Sequence, residues 1–373
     1  MKIGFPVEAD FDALRSHFVH AAQAAGATLT TYAHPLKGPR GEALATDVAW
    51  LGRPDARRVL MTLSGTHGVE GFYGSTCQTQ WLYELATQRL PDDVAVMMVH
   101  LVNPWGTAWV RRVNEDNVDL NRNYVDFTAA LPDNARYEAL HEIYACRDID
   151  GPQRQHADAL LAQQIDELGW AGVQAIVGAG QYRHADGLFY GGQQPTWSNR
   201  TVRDIAQRFL QTAQVAIAFD LHTGAGPFGH PMLMAISQAA YPALADAQRL
   251  YGPWLYTLFT HADAAISETG VVARATGYTS QALLAALPDT HLMQLVIECG
   301  TYPEAPMHTA LRDDHWLHLY GDPHDARGRA ISRALFDSFL PADPDWRELV
   351  WMRTRQIWTR ALDALPGMVA ADR

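Results

Sequence analysis

The sequence predicts an α/β protein, one compact domain whose central sheet is mixed, largely parallel and flanked by helices. Two observations carry this. Several short apolar runs, over residues 59–63, 94–102, 214–220 and 292–298, do not alternate with polar positions, as expected of strands buried on both faces. Between them lie segments with helical spacing of apolar residues, giving the order strand, loop, helix, strand that builds a βαβ unit.

Taken in order, residues 9–26 carry helical spacing and stop at Gly26, after which 27–32 reads as a strand. Residues 47–51 suggest a second strand. Residues 57–64 form the third, which breaks into small residues at Ser64-Gly65-Thr66. From Gly71 the positions Phe72, Cys77, Trp81, Leu82 and Leu85 repeat as a helix, ending near Leu90-Pro91. The strand 94–102 closes on Asn103-Pro104-Trp105-Gly106. Residues 107–127 are dense in polar groups without either period, and 118–124 packs more Asn and Arg between apolar residues than a solvated loop usually does.

Helices are predicted over 135–168, broken at Gly151-Pro152, with a short strand at 175–177. Residues 180–200 are turn-rich, with four aromatics and the pair Gly191-Gly192, and read as an ordered loop that lines or covers a pocket. Ser198 or Asn199 caps the helix that follows, to about Thr212. Strand 214–220 runs into Asp220-Leu221-His222-Thr223-Gly224. A strand at 231–236, a helix at 241–259 and a short strand at 270–275 precede the last clear strand, 292–298, which ends at Cys299-Gly300-Thr301. Helical pattern then dominates from Met307 to about Leu365. No linker or repeat marks a second unit, so residues 1–373 read as a single catalytic domain with mostly helical additions from about residue 305.

Composition narrows the function. Hydrophobic residues make up 48% of the 373 and charged residues 19%, which suits an ordinary globular chain. A net charge of -12 without a basic cluster argues against nucleic acid or an anionic membrane as partner. The first residues carry acidic groups where a signal peptide needs an apolar run, and no stretch approaches a membrane span, so a soluble, cytoplasmic protein is expected. Three cysteines without a CxxC favour reduced thiols over a disulfide framework. Oligomeric state is not readable from the chain.

The chemistry concentrates at strand ends. The strands leading into His67, His222 and Glu298 each end in an ionisable residue closely followed by Gly. Carboxyl ends of neighbouring parallel strands meet in space, and open α/β sheets bind ligands at that edge. His67 and Glu70, three apart on the turn, and His222 can therefore complete a three-ligand zinc site with an open fourth position. Taken singly, such a residue is more often a capped or hydrogen-bonded structural one. Asp220, two before His222, can orient a ligand or cap a turn.

In combination, His67-Gly-Val-Glu70, Asn103-Pro104-Trp105-Gly106, Asp119-Leu-Asn121-Arg122-Asn123, His222 and Glu298 resemble the zinc carboxypeptidase superfamily, which includes succinylglutamate desuccinylase and aspartoacylase enzymes. The likeness spans residues 58–302, and the 111–114 and 187–200 segments look like an uncharacterised bacterial branch. The resemblance implies a zinc carboxypeptidase-like fold and one zinc ion held by His67, Glu70 and His222, with Glu298 as general base and later acid. It further implies that Arg112 polarises the scissile carbonyl, with Arg111 as a substitute, and that Asn121 and Arg122 bind a substrate carboxylate. Tyr278 is the candidate for the tyrosine in the loop before the catalytic Glu, although its surroundings depart from the classical enzymes. The expected activity is hydrolysis of an amide beside a free carboxylate, by a carboxypeptidase on short peptides or a deacylase of N-acyl amino acids. The partner is then a small molecule or short peptide carrying a free carboxylate. A non-catalytic relative that binds a peptide or metabolite in the same cleft is the competing class. No GxSxG supports a serine hydrolase.

Overall fold

A computed structural model describes residues 4–259 and 275–369. Among the described residues eight strands form one sheet: β1 (Thr28–Lys37), β2 (Ala43–Gly52), β3 (Arg58–Leu63), β4 (Val94–His100), β5 (Val215–Gly224), β6 (Pro231–Ser237), β7 (Leu255–Phe259) and β8 (His291–Gly300). Their spatial order is β1-β2-β4-β3-β5-β8-β6-β7. The four central strands β4, β3, β5 and β8 run parallel, while β2 joins β4 and β6 joins β8 antiparallel. The sheet is thus parallel where it carries the strand ends of interest, and mixed outside them, where β1 joins β2 antiparallel and β7 joins β6 parallel.

Both faces of the central strands are covered, which explains their unbroken apolar runs. Val59, Met61 and Leu63 of β3 pack in one core with Val202, Ile205 and Leu283. Leu60 points the other way, into a core shared with Phe72, Trp81 and Trp358. The helices at the C-terminus, Glu304–Tyr320, Ala326–Phe339 and Pro344–Ala364, belong to this second core. Trp346 and Trp358 are fully buried there, and Trp346 Nε1 donates to the Gly300 carbonyl at the end of β8 at 2.8 Å.

Three local expectations are corrected and one helix is added. Residues 175–177 are helical, inside Pro152–Gly178, because three apolar residues carry no period and here face a small separate core. The predicted helix 241–259 stops at Tyr251, where Gly252 takes φ +55 and Pro253 follows, and the remainder becomes edge strand β7. Thr196, rather than Ser198 or Asn199, caps Trp197–Leu210, its Oγ1 accepting from Asn199 N at 3.1 Å. A helix not read from the sequence, Thr279–Ala286, packs beside Trp197–Leu210. Of the predicted strand 270–275, residues 270–274 lie outside the described residues.

Candidate active site

The turn after β3 is shaped by close backbone packing. A Cβ on Gly68 would lie 2.1 Å from the carbonyl carbon of Gly106, so the Asn103-Pro104-Trp105-Gly106 turn seats directly on the His67–Glu70 segment. Asn103 holds that turn, its Oδ1 accepting from Gly106 N at 2.8 Å. The next stretch then crosses back: Gly68 N donates to Arg112 O at 3.1 Å and Val69 N to Arg111 O at 2.8 Å. These two bonds carry the Arg112 side chain to Glu70.

His67, Glu70 and His222 converge, and all three are buried. Glu70 Oε1 lies 2.9 Å from His67 Nδ1, Glu70 Oε2 lies 2.8 Å from His222 Nδ1, and the two Nδ1 atoms are 3.2 Å apart. The outer ring nitrogens face carboxylates. His67 Nε2 is 3.2 Å from Asp119 Oδ1. His222 Nε2 is 3.2 Å from Asp220 Oδ2 but off the hydrogen-bond direction, and has no hydrogen-bond partner among the described residues. Asp220 is itself held by Thr66 Oγ1 at 2.7 Å. Two imidazoles that turn one nitrogen toward a shared carboxylate and the other toward a separate carboxylate have the arrangement of metal-ligating histidines. Tetrahedral zinc with N and O ligands near 2.1 Å needs donors about 3.4 Å apart. The observed spacings of 2.8 to 3.2 Å are close to that, so these residues fit the ion.

Glu298 stands one strand over, its Cα paired with that of His222 in the β5–β8 ladder. Its Oε1 accepts from Ala225 N at 3.0 Å. Burial, then the charge of Glu70, pushes the Glu298 carboxyl up to about 7. Burial also works to raise Glu70, but the charges and hydrogen bonds of His67 and His222 outweigh it and hold Glu70 well below the usual range. Two neighbouring carboxyls are thereby pushed apart, one kept ionised and one able to exchange a proton near neutrality.

The arginines separate. Arg112 donates from Nε to Asp119 Oδ2 at 3.0 Å and from Nη1 to Glu70 Oε1 at 3.3 Å, at the edge of the cluster. Arg111 turns away, its Nε 3.3 Å from Asp314 Oδ2 and its Nη2 3.4 Å from Asn117 Oδ1, so it is not brought to Glu70. Arg122 is buried, its Nε donating to Gly178 O at 3.0 Å and its Nη1 to Asn121 O at 2.9 Å. Asn121 Oδ1 accepts from Thr279 N and Oγ1, at 3.0 and 2.9 Å. The Tyr278 ring lies 5.2 Å from the Arg122 guanidinium.

Two residues of the site were given no role from the sequence. Asp119 couples His67 to Arg112, and burial is outweighed by the charges of Arg112, His67 and Arg122, which hold its carboxyl well below the usual range. Its position as cap of the one-turn helix Leu120–Asn123 was the available signal. Phe189 lies 5.0 Å from the Arg112 guanidinium and 5.7 Å from that of Arg122, on the 180–200 loop, with a left-handed φ of +52. Nothing in the sequence singles it out among the aromatics there.

Fold and cluster define the class: an α/β protein with three buried metal-competent side chains at the carboxyl edge of its sheet. The family model described as "Protein of unknown function (DUF2817)" matches residues 8–353, and the chain belongs to that family. No curated protein matches it. Similar solved structures include carboxypeptidase A from Helicoverpa armigera, at 13% identity and TM-score 0.49, covering 96% of this chain and 74% of that one. Thrombin activatable fibrinolysis inhibitor is similar at 10% identity and TM-score 0.47, covering 95% and 74%. A succinylglutamate desuccinylase from Silicibacter is similar at 14% identity and TM-score 0.38, covering 79% and 67%.

Proposed function

We propose that this chain is a zinc-dependent hydrolase that cleaves an amide bond next to a free carboxylate, with His67, Glu70 and His222 holding one zinc ion. The observation that carries the reading is the convergence of those three buried donors, with both outer imidazole nitrogens facing carboxylates. Bound there, zinc supplies Lewis acidity and makes hydroxide available near neutral pH.

The chain's own groups do the rest. Glu298 takes the proton of the attacking water on its carboxylate and returns it to the leaving amine. Arg112 uses two of its five donors on Asp119 and Glu70, and donates from the remainder to the scissile carbonyl oxygen as negative charge develops there. Arg122, whose fork is fixed by backbone carbonyls, receives the substrate carboxylate together with the amide of Asn121. Tyr278 and Phe189 wall that end of the site with aromatic rings, which favours a small substrate over a protein chain.

The reading is tested by assaying the purified protein against dipeptides and N-acyl amino acids, with and without a chelator. Turnover should be lost to the chelator and restored by zinc, and Glu298→Gln should lose about 10²- to 10⁴-fold in rate while keeping its zinc. Turnover that survives metal removal, or full activity in Glu298→Gln, overturns it.

A further inference from the structure

A second group of metal-competent side chains lies apart from the proposed zinc donors, on a helix and on the loop that also carries Phe189. His141 sits on the helix Glu138–Tyr144, and His184 and Asp186 sit on the 180–200 loop. One donor atom from each of the three lies within 4.8 Å of the others. The two imidazoles stack face to face, centroids 3.8 Å apart and planes at 21°. His184 Nε2 is 3.0 Å from Glu138 Oε2, and His141 Nε2 is 3.5 Å from Asp186 Oδ1.

A surface ion network explains only part of this. Arg183 pairs with Asp133 and Glu138, which accounts for the Glu138 carboxylate. It does not account for two stacked rings between two carboxylates, because protonating both would set like charges in contact.

We infer that His141, His184 and Asp186, with Glu138 as a further carboxylate, form a second cation site that ties the 180–200 loop to the Glu138–Tyr144 helix. Two imidazoles with carboxylates select a borderline divalent ion such as zinc over calcium or magnesium, which take oxygen donors. Closing donors spread over 4.8 Å to the roughly 3.4 Å edge of a tetrahedral site asks for a movement of about an ångström and for one ring to turn out of the stack, because an imidazole lone pair lies in its ring plane. Asp186, 54% exposed, and the partly exposed rings have room to supply it. The backbone behind them is already fixed: Asn117 Nδ2 donates to Ala185 O and Gly187 O at 2.9 Å, and Leu188 N to Tyr137 Oη at 2.8 Å. The ion would therefore brace the segment that presents Phe189 to Arg112 and Arg122.

The test is a count of zinc per chain on the full-length protein, using zinc alone as probe, after equilibration at fixed free zinc and buffer exchange. Wild type should hold two equivalents, His141→Ala/His184→Ala one, and His67→Ala/His222→Ala one. The last variant separates this site from the first, since its remaining ion does not depend on the proposed catalytic centre. Asp186→Asn, at an exposed position that should leave the fold intact, should weaken the second equivalent on the order of tenfold or more. Matching circular dichroism of the chelated variants and chelated wild type excludes misfolding as the cause of a lost ion. Wild-type zinc content in His141→Ala/His184→Ala, or a zinc-free His67→Ala/His222→Ala, overturns the inference.

Discussion

Replacing Asp119 by Asn probes the coupling between the candidate metal donors and the arginine beside them. One carboxylate oxygen serves His67 Nε2 at 3.2 Å and Asn121 N at 2.9 Å, and the other serves Arg112 Nε at 3.0 Å. An amide keeps the shape but has one acceptor, so its NH₂ must face either Arg112 or the His67 side, a donor against a donor. Losing a hydrogen bond to a charged group costs about 1.5–3 kcal/mol. Weakening the outer partner of a metal-ligating histidine costs about 10- to 100-fold in metal affinity, or about 1.4–2.7 kcal/mol. The assay is zinc affinity by competition with a chromogenic chelator at fixed pH and ionic strength, paired with kcat/KM on the best substrate found. Zinc should bind in that range more weakly and kcat should fall as Arg112 loses its anchor. A zinc affinity equal to wild type within error would refute the claim that Asp119 acts on the His67 donor.

Three further outcomes are expected. Gly68→Ala should cost about 1–3 kcal/mol by overpacking, since its methyl would meet Gly106 and Thr107 backbone at 2.1 and 2.4 Å, and urea unfolding reads this directly. Burial lowers His100 to about 3 from 6.5, so the unfolded chain binds its proton first, and stability present above 6.5 is lost as pH falls through that window. His100→Gln should flatten the pH dependence of unfolding there by about 1.4 kcal/mol per pH unit, and parallel curves for variant and wild type would rule this out. Trp346→Ala should cost about 3–5 kcal/mol in calorimetry, whereas an unchanged Tm would mean that the C-terminal helices are appended rather than part of the core.

The central strands were legible in the sequence because a strand covered on both faces must be apolar at every position. The β7 edge was not, since β7 differs from a helix only by its strand pairing with β6, though Gly252-Pro253 was a visible stop. His67, Glu70, His222 and Glu298 could be picked out because each follows an apolar run, and neighbouring parallel strands bring such ends together. Arg111 and Arg112 could not be told apart. They are adjacent in a stretch without period, and only the backbone bonds from Gly68 and Val69 decide which one turns toward Glu70. Asp119 stood in a recognisable motif, but its partners lie 52 residues before it and 7 before it, a convergence that spacing does not encode.

The pairing of His222 with Glu298 across β5 and β8 has a mechanical meaning. Neighbouring strands lie about 4.8 Å apart wherever a ladder of backbone hydrogen bonds joins them. The gap between a candidate donor and the candidate proton carrier is therefore a dimension of the polypeptide backbone, gauged by the stiffest part of the molecule. Flexible side chains only trim it. A slip of one residue between these strands would turn one of the two to the opposite face, so damage to this ladder should abolish the site outright, while changes elsewhere leave its width alone.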